Sequence, residues 1–299
     1  MTLAASTVSQ LRKAIEAVER RSPPRAAPDV GEPEWFLGAR ALDGALPEGG
    51  LSRRALHDVS VASPGDGAAA TGFLLALLAR FPRDGDVLWC QSAMNRREYG
   101  GLYGPGLEGF GFPAERLVQV SVRSGKELAW AMEEGVRSAS LAAVVGEGLA
   151  LDFTATRRLS LASTETAVPC LILAPPGPMA ASAAMTRWRV STVPQFPTTP
   201  TPAPPHKGEG KAADIPLPLV GRGRGGGSVS KGGGGDMTQS YATGFERTAF
   251  HLELLRCRGG RPGSWRMAWD HETHSFHPLS PAGDREFPSQ PALSRRKAG

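Results

Sequence analysis

Cysteine is scarce in this chain of 299 residues: Cys90, Cys170 and Cys257 lie far apart and are odd in number. That count excludes a secreted fold held together by disulfides. Two of the three cysteines sit in apolar, strand-like runs, where a small buried side chain is expected. No zinc-spaced Cys/His pattern and no G-x-S-x-G elbow occurs, so the common zinc modules and α/β-hydrolases are excluded. The cysteines indicate a reducing cytoplasm.

Apolar stretches are also short. None reaches the roughly 18 residues that a membrane-spanning helix needs, and the N-terminus has no charged segment followed by an apolar one, as a signal peptide would. We therefore expect a cytoplasmic protein without membrane contact.

The composition divides the chain into packed and unpacked parts. A hydrophobic content of 40% suits one substantial core, whereas 37 glycines and 26 prolines show that part of the chain cannot be packed. The formal charge of +5 and the pI near 9.4 are compatible with nucleic-acid association. Many basic proteins never contact nucleic acid, so this signal is weak.

Residues 1–33 predict a helix and a linker. Apolar side chains recur at helical spacing within 7–21: Val8, Leu11, Ile15 and Val18. Two successive prolines end the helix. The pattern leaves open whether this helix packs on its own domain or docks on a partner.

Residues 34–190 predict the core. Strands are expected at 55–61, 86–90, 117–122, 141–145 and 169–174. Helices are expected at 68–80 and 126–138, with another between the last two strands. Strands that alternate with helices indicate an α/β fold with a mostly parallel sheet and covering helices.

The most informative stretch is 42–80, which predicts a strand, a tight glycine-bearing loop and an apolar helix. Phosphate-binding loops have this order, with the form G-x-x-x-x-G-K-[ST]. The positions that fit this frame are Ala62, Gly65, Gly67, Ala68 and Ala69. Alanine replaces the first glycine, the lysine and the hydroxyl residue, so the loop has no cation for phosphates and no hydroxyl for a metal. We expect no cofactor and no bound nucleotide.

Three patches carry a family resemblance. LDGALPEGGLSRRALHDV resembles the lead-in to the nucleotide loop of RecA-type recombinases, and the degenerate loop after it resembles the ImuA family. VLWCQSA at 87–93 resembles the strand that ends in a catalytic glutamate, where Gln91 now stands. LYGPGLEGFGFPAERLVQVSV at 102–122 resembles the next loop and strand. Glu147, near a position that carries a metal-binding acid in RecA-like folds, is interpreted as a solvated loop carboxylate.

The resemblance implies a RecA-like accessory protein of a DNA-damage-induced, error-prone translesion synthesis complex, without catalysis because glutamine cannot act as a general base. It implies as partners an ImuB-like Y-family polymerase homologue and an error-prone DnaE-type polymerase, with RecA and weakly bound DNA as further candidates and a nucleoid location when assembled. Two alternatives stay open. One is a RecA- or KaiC-like ATPase with an unconventional nucleotide site, and the other is a SulA-like inhibitor of cell division.

Beyond the core, residues 191–244 are rich in proline and then glycine and predict a disordered insert. The insert is either a passenger repeat or an Arg-Gly tether for nucleic acid. Order resumes at 245–280, where two strand-like halves about G-G-R-P-G predict a β-hairpin on the sheet edge. Its basic patch is Arg256, Arg258, Arg261 and Arg266. The resemblance assigns this region to the ImuB-like partner, with a DNA contact as the alternative. Residues 281–299 predict a mobile basic tail.

Three histidines follow the hairpin at intervals of three residues: His271, His274 and His277. Strand alternation would point His271 and His274 to opposite faces, and no acidic or thiol cluster adjoins them. We therefore predict no metal site.

Overall fold

The fold is built on a nine-stranded sheet, seen in a computed structural model that describes residues 2–21, 35–193 and 247–279. Its strands are β1 (Leu56–Val61), β2 (Val87–Ser92), β3 (Leu117–Val122), β4 (Ala143–Glu147), β5 (Cys170–Leu173), β6 (Thr186–Thr192), β7 (Arg247–Cys257), β8 (Gly263–Asp270) and β9 (Ser275–Pro278). The strand order is β3-β2-β4-β5-β1-β6-β7-β8-β9. From β3 to β6 along this order, each strand is parallel to its neighbours. The three remaining pairings, β6 with β7, β7 with β8 and β8 with β9, are antiparallel. The predicted α/β, RecA-like architecture with a mostly parallel sheet is confirmed.

Seven α-helices accompany the sheet in the described residues. They are α1 (Thr2–Arg21), α2 (Arg40–Asp43), α3 (Gly67–Ala79), α4 (Ala93–Tyr99), α5 (Gly104–Gly109), α6 (Gly125–Arg137) and α7 (Phe153–Thr166). Helices α3 and α6 begin and end within one residue of their predicted bounds. The short helices α4 and α5 were not predicted, because α4 is mostly polar, glycines interrupt α5, and neither helix exceeds two turns.

Two apolar cores cover the two faces of the sheet. On one face α3 packs against β1 and β6, and its Phe73 ring lies 5.5 Å from the Trp188 ring and 6.0 Å from the Phe276 ring, centroid to centroid. On the other face α1, α6 and α7 cover the parallel strands. Leu11 and Val18 of α1 are buried there, so this helix packs on its own domain, the first of the two interpretations.

The C-terminal strands extend the sheet as predicted. Strand β7 pairs with β6 across the intervening residues, and β8 folds back on β7. Strand β6 runs through Thr192, two residues into the segment predicted as the insert. The remainder of that segment from 194 and the predicted tail lie outside the described residues. A third strand, β9, was not predicted because its four residues include a proline.

The expectation that His271 and His274 alternate along a strand was wrong. His271 and His274 lie in the turn between β8 and β9 rather than in a strand. His271 hydrogen-bonds with Gly109 O and Thr248 Oγ1, and His274 stacks on Trp269. His277 hydrogen-bonds with Ser275 Oγ. His271 and His274 thus hold the turn against neighbouring residues, whereas the contact of His277 stays within β9.

Ion pairs link two neighbouring helices of the fold. Glu133 of α6 is buried and accepts hydrogen bonds from Arg158 of α7 and from Arg137, one turn along its own helix. This bridge joins α6 to α7. No helix in the described ranges has the length and apolar character to cross a bilayer.

Candidate functional site

The candidate site is a cavity of about 540 Å³ at the carboxyl ends of the central parallel strands. In open α/β sheets this edge is where ligands bind. The last residue of β1, the next to last of β2 and the last residues of β4 and β5 all line it: Val61, Gln91, Glu147 and Leu173. The degenerate loop after β1 and Gln91, which stands where the resemblance implies a catalytic glutamate, thus meet at one cavity.

The loop after β1 has the predicted order of strand, turn and helix. Ala62 follows the strand, a 3₁₀ turn spans Pro64–Asp66, and α3 begins at Gly67. Gly65, Gly67 and Ala68 line the cavity, whereas Ala62 does not and Ala69 is buried behind it. Neither Gly65 nor Gly67 adopts a positive φ. The backbone therefore continues into the helix without the strained glycine conformations that turn successive amides toward an anion.

The carboxylate of Asp66 accepts backbone hydrogen bonds from this loop and from β6. Its Oδ2 accepts hydrogen bonds from the Ser63 N–H at 2.9 Å and the Ser63 hydroxyl at 2.8 Å, and its Oδ1 accepts one from the Thr192 N–H at 2.8 Å. Burial opposes ionisation, but the hydrogen bonds from Thr192 and Ser63 outweigh it and lower the pKa of Asp66. Sequence reasoning missed this residue, although S-P-G-D at Ser63–Asp66 has the spacing of a capping box.

Gln91 and Glu147 meet on the floor of the cavity. Glu147 Oε1 accepts hydrogen bonds from Asn95 Nδ2 at 2.8 Å and Gln91 Nε2 at 3.3 Å, and Glu147 Oε2 accepts one from Trp89 Nε1 at 2.6 Å. Interpreting Glu147 as a solvated loop carboxylate was therefore wrong: it ends β4 and is 6% exposed. All three of these contacts place a neutral donor on a Glu147 oxygen.

Helix α4 supplies the near wall. The Ser92 hydroxyl accepts a hydrogen bond from the Asn95 N–H and caps the helix, which places Asn95 and Tyr99 one turn apart on the cavity side. Tyr99 is 62% exposed and Tyr103, in the next segment, is 73% exposed. Leu75, Leu102, Leu107 and Phe110 complete a mostly apolar wall. The sequence analysis singled out none of Asn95, Tyr99 and Tyr103; Asn95 and Tyr99 lie on a short helix that gives no sequence signal, and Tyr103 precedes another short helix.

These residues decide what the cavity can hold. Among the described residues that line it, Glu147 is the one charged side chain, and neither lysine nor arginine is present. Transfer or binding of phosphoryl groups depends on cations and inward-facing amides. The cavity lies at the sheet edge where a nucleotide would be expected. Its charged side chain is negative, whereas a phosphate site needs positive charge.

The arginines of the hairpin lie elsewhere, and all four are exposed. Arg256 is opposite Arg187 in β6, and Arg258 and Arg261 lie at the turn between β7 and β8. Arg266 is opposite His251, about 16 Å further along the strand at ~3.3 Å per residue. The structure therefore groups three of the predicted residues at the tip of the hairpin and places Arg266 apart from them.

A buried acid adjoins this basic tip. Asp58 of β1 pairs with Arg187 at 3.3 Å, beside Arg256. Burial raises the pKa of Asp58, and Ser182, Arg187 and Arg256 oppose that shift. This ion pair thus ties β6, the strand that pairs with the hairpin, to β1.

Comparison with known proteins gives a relationship along most of the chain. No family model matches it. Two proteins from Caulobacter vibrioides, of strains NA1000 and CB 15 and each called Protein ImuA, are 30% identical to it over 261 residues. The alignment covers 83% of this chain and 88% of either relative.

Proposed function

Because the chain belongs to the ImuA family, we propose that it is a non-catalytic accessory protein of a DNA-damage-induced, error-prone translesion synthesis complex. The proposed absence of catalysis is supported by the loop after β1. A carboxylate, Asp66, takes the Ser63 amide there, and no lysine or arginine lines the adjoining cavity. A phosphate group placed in this loop would meet negative charge.

The proposed partners are an ImuB-like Y-family polymerase homologue and, through it, an error-prone DnaE-type polymerase. The support in this chain is the tip of the hairpin, where Arg256, Arg258 and Arg261 are exposed at the end of two long strands. A rigid antiparallel ribbon presents such side chains at fixed positions, which suits a protein contact. Rim charges of this kind set association rates and partner choice.

The partner contact is tested by charge reversal in the full-length chain. We expect Arg256→Glu/Arg258→Glu/Arg261→Glu to weaken capture of the ImuB-like partner by roughly tenfold or more, because each reversed charge faces a complementary surface. The measurement is the dissociation constant from surface-immobilised partner at fixed salt. The matched control reverses Arg12, Lys13 and Arg20, which lie on α1 near the opposite sheet edge.

Equal affinity for the hairpin variant and the wild type would remove the hairpin from the interface. Loss of affinity in both variants would indicate a long-range charge effect without a specific contact. Restored damage-induced mutagenesis by the wild type and the control, but not by the hairpin variant, would tie the contact to the proposed function.

A second test addresses catalysis. Calorimetry with Mg-ATP should give no binding heat for the wild type, and Ala68→Lys/Ala69→Thr should stay silent because Asp66 still repels phosphate. Adding Asp66→Asn to that variant removes the negative charge and should produce measurable binding. Saturable binding of Mg-ATP by the wild type would refute the non-catalytic proposal and favour the ATPase alternative.

A further inference from the structure

The floor of the cavity holds a buried negative charge without a cationic partner. Glu147 is 6% exposed, and its three hydrogen-bond donors, on Trp89, Gln91 and Asn95, are all neutral. No ion pair involving Glu147 occurs within the described residues. Buried carboxylates are ordinarily paired with a cation, because neutral donors offset only part of the desolvation cost.

Gln91 adds an acceptor that nothing satisfies. Its Nε2 donates to Gly100 O at 3.2 Å and to Glu147 Oε1 at 3.3 Å, so both donor directions point at oxygens. Rotating the amide by half a turn would place its oxygen against those acceptors, so this orientation is fixed. Oε1 of Gln91 is then buried with no hydrogen-bond partner, in a side chain that is 5% exposed and lines the cavity.

The walls suit the stem of a side chain. Leu75, Leu102, Leu107 and Phe110 offer apolar contact above the polar floor, and Tyr99 and Tyr103 expose their rings beside it. Long cationic side chains bury their methylene groups against such surfaces and place the charged head on an acceptor. Tyrosine faces also attract cations at distances of a few ångströms.

We propose that this cavity binds a cationic guanidine or amine that carries an apolar stem, as the arginine side chain does. The charged head donates to Glu147 and to Oε1 of Gln91, and the stem lies against the leucines and Phe110. A neutral ligand would leave the Glu147 charge unpaired, and an anion would be repelled by it. The ligand is either a free small molecule or an arginine side chain of another protein, and both share this chemistry.

The test uses calorimetry on the full-length protein with agmatine and with capped arginine amide. Both should bind saturably. The capped citrulline amide, which has the same shape without the charge, should bind with an affinity lower by roughly tenfold or more. Glu147→Gln should lower the affinity for the guanidines by roughly tenfold or more. The matched control is Glu108→Gln, an exposed acid on α5 outside the cavity, which should bind as the wild type does.

Two further measurements keep the proposal falsifiable if Glu147→Gln folds poorly. Tyr99→Ala and Tyr103→Ala alter exposed side chains and should each weaken guanidine binding by about threefold. Magnesium chloride titrated alone should give no binding heat. Absence of saturable binding at about 10 mM agmatine and capped arginine, or equal affinity for citrulline, would overturn the proposal. So would magnesium binding that depends on Glu147.

A peptide experiment distinguishes a free small molecule from an arginine side chain of another protein. A peptide with one arginine between leucines that binds more tightly than agmatine indicates a protein side chain, since flanking residues then add contacts. Equal or weaker binding than agmatine indicates a small molecule. Both outcomes support the cationic chemistry, and neither depends on whether the hairpin captures an ImuB-like partner.

Discussion

Gln91→Glu is expected to lower the free energy of unfolding by about 3 kcal/mol at pH 7.5. The substitution changes one amide into a carboxylate, the residue type that the RecA-like resemblance implies at this position. In this chain the Gln91 amide donates to Gly100 O and to Glu147 Oε1. A carboxylate at position 91 would have no N–H to donate to either oxygen. One of its own oxygens would instead lie near Glu147 Oε1, at about the 3.3 Å that now separates Gln91 Nε2 from it.

The pH dependence of that loss separates repulsion from poor packing. Two buried carboxyl groups side by side raise the pKa of one of them, so it is the ionised pair that destabilises the fold. The penalty should be complete above the raised pKa and should shrink as the pH falls to about 5, where one group takes a proton. Urea unfolding of wild type and variant at both pH values measures it.

The matched control is Gln91→Met, which removes the hydrogen bonds without adding charge. It should cost about 1–2 kcal/mol at both pH values. If Gln91→Glu were as stable as the wild type at pH 7.5, the arrangement of Gln91 and Glu147 described above would be wrong. Neither variant should hydrolyse ATP, because Asp66 and the missing lysine are unchanged.

The sequence predicted the fold where physical periodicity is strong. The strand at 117–122 and helix α6 were predicted within one residue, because an apolar run and a capping box at Ser124 and Glu127 mark them clearly. The hairpin was predicted to continue the sheet after the insert, since its two apolar halves flank a glycine-rich turn. The pairing of β7 with β6 confirms it.

The site was predicted less completely, for a physical reason. The frame of the loop and the position of Gln91 follow from local sequence, but the surroundings of Glu147 depend on three donors from β2 and α4, 52 to 58 residues away. Pairing of strands brings them together, and no sequence period records it. Asp66 differs: its partner Ser63 is local, and only the contact with Thr192 required the sheet.

Two carboxylates organise the sheet edge at which the candidate site lies. In the described residues, both carboxylates accept hydrogen bonds from other groups of the protein. Asp66 joins the loop to β6, and Glu147 joins β4 to β2 and α4. These contacts tie the loop after β1 and the end of β4 to neighbouring elements of the sheet edge.

His57 provides the second large effect, a loss of stability in acid. It lies in β1, fully buried, and its Nε2 and Nδ1 hydrogen-bond with Ser52 O and Thr186 Oγ1, both at 2.8 Å. Trp188 Nε1 donates to the same Thr186 oxygen. Nε2 therefore carries the proton and Nδ1 accepts from the hydroxyl. Burial lowers the pKa of His57 to about 4, although the hydrogen bond to Ser52 favours the charged form.

The sign follows from proton binding. Between about pH 6.5 and pH 4 the unfolded histidine is protonated while the folded one is neutral, so the free energy of unfolding falls as the pH falls. The loss in the free energy of unfolding reaches about 3 kcal/mol near pH 4, and above pH 7 there is no loss. His57→Gln should abolish that slope, and His251→Gln, at a half-buried histidine, should keep it. Parallel pH curves for His57→Gln and the wild type would show that another group causes the loss.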